Sequence, residues 1–208
     1  MAATSSPYGF RAVNQLGGTP YAGATRQVPI ASGYSENIFN GSLVYIATAG
    51  VLQIVTSTGS DATTNAFPTG TASTGALGVF VGCSYTNPST KQKVFAQYWP
   101  DATVASDAMG YVVDDPNVVF QVQAAGTMAQ AQLGSNVILS AVQSTDTGST
   151  TTGNSTTAVS ATSQTTTGAF RVVGFVDMVG FSVVGDAYTD ILVKFNPGYH
   201  SYTNAVGL

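Results

Sequence analysis

Charge is the scarcest property of this sequence. Asp, Glu, Lys and Arg make up 8% of its 208 residues, against about 25% in an average globular protein. The six Lys and Arg are scattered from Arg11 to Lys194 and the formal net charge is -4. Nucleic acid is therefore not an expected partner. Cys83 is the lone cysteine, which excludes an intrachain disulfide and a cysteine-based zinc cluster. No 18 apolar residues run together and "MAATSSPYGF" has no basic segment leading into an apolar one, so neither a membrane helix nor a secretory signal is expected.

The reagents of catalysis are equally thin. His200 is the single histidine and Glu36 the single glutamate. There is no G-x-S-x-G elbow, no G-K-[ST] phosphate loop and no D-x-D-x-D-G calcium loop. Asp114 and Asp115 precede Pro116 in "VVDDPNVVF", which is turn chemistry. Asp186 and Asp190 in "VGDAYTD" are a weak metal candidate, because hard cations want several clustered oxygens. Lys91 and Lys93 flank a turn and read as solvated. We expect no catalytic residue, no cofactor, no metal and no small-molecule substrate.

What the chain does have is apolar alternation. Hydrophobic residues reach 44% and mean hydropathy is +0.19, which argues against disorder. Short period-two runs are bounded by Gly, Pro, Asn and Ser, an all-β pattern. In "GSLVYIAT" Leu43, Tyr45 and Ala47 alternate with Val44 and Ile46, so both faces should be covered. "VLQIVTST" follows across Ala49-Gly50, a two-residue hairpin. "GALGVFVGCSYT" and "KQKVFAQYW" form a second hairpin around "NPSTK", with Cys83 a small buried hydrophobe on the Val79 and Val81 face. "NVVFQVQAAG" sets Val118, Phe120 and Val122 against Val119, Gln121 and Gln123. "SNVILSAV", "GAFRVVGFVDM" and "TDILVKFNP" complete about eight or nine strands, enough for an antiparallel β-barrel or β-sandwich.

Only "TMAQAQLG", residues 127 to 134, offers helix chemistry, with a Thr cap, Leu133 as anchor and a Gly134 stop. Residues 144 to 168 are almost pure Ser, Thr and Gly around a small apolar cluster at Val159, and read as a long surface excursion. Residues 57 to 75 read as a shorter one.

Residues 1 to 34 read as an extended N-terminal arm and 35 to 208 as one β domain. The arm holds Tyr8, Phe10, Tyr21 and Tyr34 with Arg11 and Arg26, types enriched at interface centres. The C-terminal end repeats this with Tyr199, His200 and Tyr202. These nine residues are the candidate capsid or inter-subunit contacts. An arm folded over its own barrel explains the same composition.

Several phrases carry a resemblance: "SPYGFRAVNQLGG", "VPIASGYSENIFNGSLV", "GALGVFVGCSYTNP", "FAQYWP", "DPNVVFQVQA", "FRVVGFVD" and "ILVKFNPGYH". The chain resembles the capsid decoration, or cement, proteins of tailed phages, particularly marine ones. The resemblance implies a capsid-binding protein on the outer surface of the virion, made in the host cytoplasm, a homotrimer seated where major capsid proteins meet. It supplies no catalytic residues. The competing readings are another virion component (tail tube, head fibre or adhesin) and a carbohydrate-binding β-sandwich using Trp99 as a stacking platform.

Overall fold

Period-two alternation becomes strands in the computed structural model, which describes residues 4–59, 75–163, 167–178 and 181–205. The strands are β1 (Arg11–Gln15), β2 (Arg26–Pro29), β3 (Leu43–Ile46), β4 (Leu52–Ile54), β5 (Gly78–Thr86), β6 (Lys93–Ala96), β7 (Met109–Val113), β8 (Val118–Gln123), β9 (Asn136–Val137), β10 (Phe170–Phe175) and β11 (Asp190–Phe195). They form two antiparallel sheets, a β-sandwich. The first runs β1-β8-β11-β10-β9; the second runs β2-β7-β5-β3-β4, with β6 also paired to β5. The count exceeds the eight or nine expected because β1 and β2 lie in the stretch read as an arm and β7 was not read as a strand; β9, within the expected "SNVILSAV", is only two residues long.

The main core lies between the sheets. Phe120, Val122, Phe170, Val172, Ile191, Val193 and Phe195 of the first sheet meet Leu43, Val79 and Val113 of the second. The second sheet has a further core on its other face, where Val44, Leu52, Phe80, Cys83 and Val112 pack against Ile38, Trp99 and Ala105 from loops. Both faces of β3 are therefore covered, as its alternation demanded. Cys83 is buried, but it belongs to the second core while Val79 and Val81 belong to the first. The register shifts between Phe80 and Gly82, and Gly82 sits at φ +151. This bulge changes which side chains face which core.

Both predicted hairpins are present. The first turns through Ala47–Val51, longer than the expected two residues, with Gly50 N–H donating to the Ala47 carbonyl at 2.7 Å. In the second, Asn87 Oδ1 accepts from Ser89 N–H at 2.9 Å and Thr90 N–H at 3.1 Å, the Asx geometry its sequence favours. The expected helix at 127 to 134 is a single 3₁₀ turn, Gln130–Gln132. Its buried anchor is Met128 rather than Leu133, which is 48% exposed. One apolar contact does not hold a longer helix on the sandwich.

Two expectations of surface location are overturned. The first segment is no free arm: β1 pairs with β8 and β2 with β7. Phe10 stacks on Phe170 at 4.9 Å between centroids and meets Phe120 edge-on. Its entry depends on Gly9, at φ +76, where a Cβ would come within 2.8 Å of the Gly41 carbonyl oxygen. Glycine here permits close approach of two backbones, not looseness.

The second correction concerns residues 144 to 168, of which 164–166 lie outside the described residues. Ser155, Thr157, Ala158 and Val159 are buried, and Val159 bridges Ala124 and Leu139. The hydroxyls survive burial because each is satisfied. Ser155 and Thr157 share a 2.7 Å hydrogen bond, and Thr157 donates to Gln143 Oε1 at 3.2 Å. Gln143 also accepts from Leu43 N–H and donates to the carbonyls of Leu43 and Val55. A side-chain amide thus stands in for ladder partners at β3. Most of the shorter excursion, residues 60–74, lies outside the described residues.

Candidate contact surface

Since the sequence points to adhesion, the question is where the nine candidate contacts sit. The structure divides them into a closed cluster, a cavity wall and buried packing. Phe10, Tyr199 and His200 are buried within the chain at 1%, 2% and 0% exposure, so they present no surface. Aromatic rings beside glycine serve a core as well as an interface. Tyr34 is half-buried against the second core, where its hydroxyl accepts from Ile54 N–H at 3.1 Å. Burial pushes its pKa up to about 12.

Arg26 and Tyr202, far apart in sequence, meet at Asp114. The Arg26 guanidinium pairs with Asp114 Oδ2, and the Tyr202 hydroxyl donates to the same oxygen at 2.7 Å. Arg26 also lies 5.6 Å from the centroid of the Tyr202 ring, a cation–π approach. Burial raises the Tyr202 pKa to about 12, reinforced by Asp114. Beneath them His200 packs on Tyr202 and Phe195, and its Nδ1 accepts from Tyr202 N–H at 3.2 Å. Burial pulls its pKa down to about 4, against the raising effect of Asp114 and Asp115. Asp115 accepts from Gln15 Nε2 at 3.0 Å and from Asn117 N–H at 2.8 Å, so the predicted turn chemistry also ties β1 to the loop before β8. Tyr21 donates to the Ala24 carbonyl and packs at the margin of the main core. This group is a latch that fastens the C-terminal segment to the sandwich.

Tyr8 and Arg11 stand elsewhere, together on the wall of a cavity on the outer face of the first sheet. The Arg11 guanidinium lies 4.7 Å from the Tyr8 ring centroid.

A surface the sequence reading missed lies on the second sheet. Phe95 pairs with Ser84, Ser84 with Met109, and Met109 with Pro29, one row across β6, β5, β7 and β2. Residues directly opposite in a ladder share a face. Their neighbours Val94 and Ala96 turn into the second core, which leaves Phe95 75% and Met109 37% exposed. Val104, in the loop between β6 and β7, is 66% exposed. The available signal was in "KVFA": apolar residues in both phases, the pattern already read at β3 as two faces needing cover.

The remaining candidates do not gather. Trp99 is fully buried, edge-on to Tyr85 at 5.4 Å, and offers no stacking platform. Asp186 Oδ2 accepts from Val183 N–H at 3.0 Å. Among the described residues no three His, Cys, Asp or Glu side chains are placed to hold a metal, and no helix is long and apolar enough to cross a membrane. No protein-family model, curated protein or solved structure matches this chain. The likeness to phage decoration proteins therefore rests on its sequence phrases alone.

Proposed function

We propose that this chain is a virion structural protein, a decoration protein that adheres to the outer surface of a shell of major capsid proteins and holds neighbouring subunits together. The observation that carries the reading is the exposure of Phe95 and Met109 on either side of the buried Ser84, on a molecule with 8% charged residues. Large apolar side chains on a rigid sheet lose little conformational freedom on contact. Each Å² of apolar area removed from water contributes about 25 cal/mol before association costs. One such patch gives a modest gain, but a shell repeats it at every site, and self-association into the expected homotrimer lets several patches bind at once.

Copy number in purified particles tests this reading. Quantitative mass spectrometry of separated heads and tails should find the chain with the heads, at a stoichiometry near that of the major capsid protein. Absence from particles, or a few copies tracking the tails, would sink it. Light scattering of the purified chain tests the trimer separately.

A further inference from the structure

The outer face of the first sheet holds a cavity of about 700 Å³ whose polar groups are not all used by the fold. Its floor comes from β8 and β11: Val118, Phe120 and Val122 point into the core, so Gln121 points outward, opposite Arg11 on β1. Asp190, opposite Gln123 at the start of β11, reaches the same space. Tyr8 forms part of one wall, and Tyr188 and Phe181 part of another.

Asp190 is the informative residue. It is 2% exposed, and neither its Oδ1 nor the Tyr8 hydroxyl makes a hydrogen bond of good geometry, although Tyr8 and Gln121 lie close enough to act on the carboxylate. Burial raises the Asp190 pKa, while Tyr8, Arg11 and Gln121 favour the charged form. A buried carboxylate oxygen left unpaired costs free energy; Ser42 Oγ, Trp99 Nε1 and His200 Nε2 are unpaired as well, but of these residues Asp190 alone lines this cavity. Asp190 lines a space large enough for a small ligand.

The groups around it select the ligand's chemistry. A metal cation would meet one carboxylate beside the positive Arg11, too few oxygens for a hard ion. An anion would meet the Asp190 carboxylate. A neutral molecule with several hydroxyls fits both, because each hydroxyl can donate to a carboxylate and accept from a guanidinium, an amide or a phenol. Tyr188 and Phe181 add apolar ring surface of the kind that packs against the C–H face of a sugar.

We propose that this cavity binds a saccharide, one hydroxyl donating to the Asp190 carboxylate and others engaging Tyr8, Arg11 and Gln121, with the ring against Tyr188 or Phe181. This site is separate from the Phe95 row and does not depend on the capsid reading. A free oligosaccharide and the end of a surface polysaccharide share this chemistry.

The test uses the full chain on a printed array of mono- and oligosaccharides, followed by calorimetry with the retained sugar free in solution. Retention on the array with matching affinity in solution points to a free-sugar site; retention of polymer-linked ends alone points to a polysaccharide, and both support the proposal. Asp190→Asn should weaken binding about tenfold or more, since hydrogen bonds to charged groups are the strong ones. Arg11→Gln, at an exposed position, should weaken it severalfold and serves if the first variant folds poorly. Phe95→Asp should leave it unchanged. No retained sugar at all, binding indifferent to both cavity variants, or thermal stabilisation by calcium chloride without sugar binding would each overturn it.

Discussion

Two clusters in this molecule are built from the same ingredients, an arginine, a tyrosine and an aspartate, and they end in opposite states. At Arg26, Tyr202 and Asp114 one carboxylate oxygen takes both donors, and the arginine lies by the tyrosine ring. At Arg11, Tyr8 and Asp190 the arginine again lies by the ring, yet the buried carboxylate oxygen and the phenol close no hydrogen bond of good geometry. In the first, donors from the chain itself take the carboxylate oxygen and fasten the chain's end. The second has capacity left for a molecule that is not part of the chain. Residue type alone therefore separates neither from the other; what separates them is whether the fold has used up their hydrogen bonds.

That contrast can be broken at several places. Among single substitutions the largest effect should come from Phe10→Ala, because Phe10 anchors the segment carrying Tyr8 and Arg11 in the main core. A loss of about 3–5 kcal/mol is the usual cost of such a truncation, read by urea unfolding. Deleting residues 1 to 25, which a free arm would tolerate, should abolish cooperative folding. A deletion that keeps the native circular dichroism and melting transition would show that the first segment is dispensable after all.

Next comes acid. Burial lowers the His200 pKa from its ordinary 6.5 to about 4, so between those values the unfolded chain holds a proton that the folded chain refuses. Stability from this group is complete above pH 6.5 and falls as pH drops towards 4, by about 3 kcal/mol at the limit. The difference in unfolding free energy between wild type and His200→Asn should change across that window. Parallel pH curves would mean that the latch does not bury a neutral imidazole.

The two smallest effects separate the clusters most cleanly. Arg26→Ala should cost under about 1 kcal/mol, since its side chain is 60% exposed and the pair is screened. Asp190→Asn should raise the melting temperature at pH 7 instead of lowering it. The folded state holds its proton more firmly than the unfolded chain does, so the ionised carboxylate opposes folding at neutral pH, an effect absent below its unfolded pKa. A marked fall in melting temperature for Asp190→Asn would make this carboxylate structural and erase the distinction.

The strands β3, β5, β8, β10 and β11 were legible in the sequence because they carry enough alternating apolar residues to need cover. The edge strands β1 and β2 were not, nor was the interior strand β7, whose five residues include Gly110. In β2 only Val28 is buried, and an edge strand pairs on one side only, so its sequence is less constrained. The Ser/Thr-rich stretch misled for a different reason: Ser155 and Thr157 read as surface until Gln143, well upstream, accepts from Thr157, and Ser155 bonds Thr157 and the Thr147 carbonyl. Composition does not reveal which hydroxyl will be satisfied. Tyr8, Arg11, Arg26 and Tyr202 were singled out by residue type and do form clusters, but their carboxylate partners Asp114 and Asp190 had been read as turn chemistry and a metal candidate. Phe95 was overlooked although its alternation with Val94 and Ala96 was in plain view.

The central claim is that this chain works by adhering through the open face of its second sheet. Co-sedimentation of purified wild type and Phe95→Asp with shells lacking the protein tests it most directly. The account predicts that wild type pellets with the shells at saturating, lattice-like stoichiometry, while the folded variant stays largely in the supernatant. Wild type that does not pellet, or a variant that pellets equally well, would contradict it.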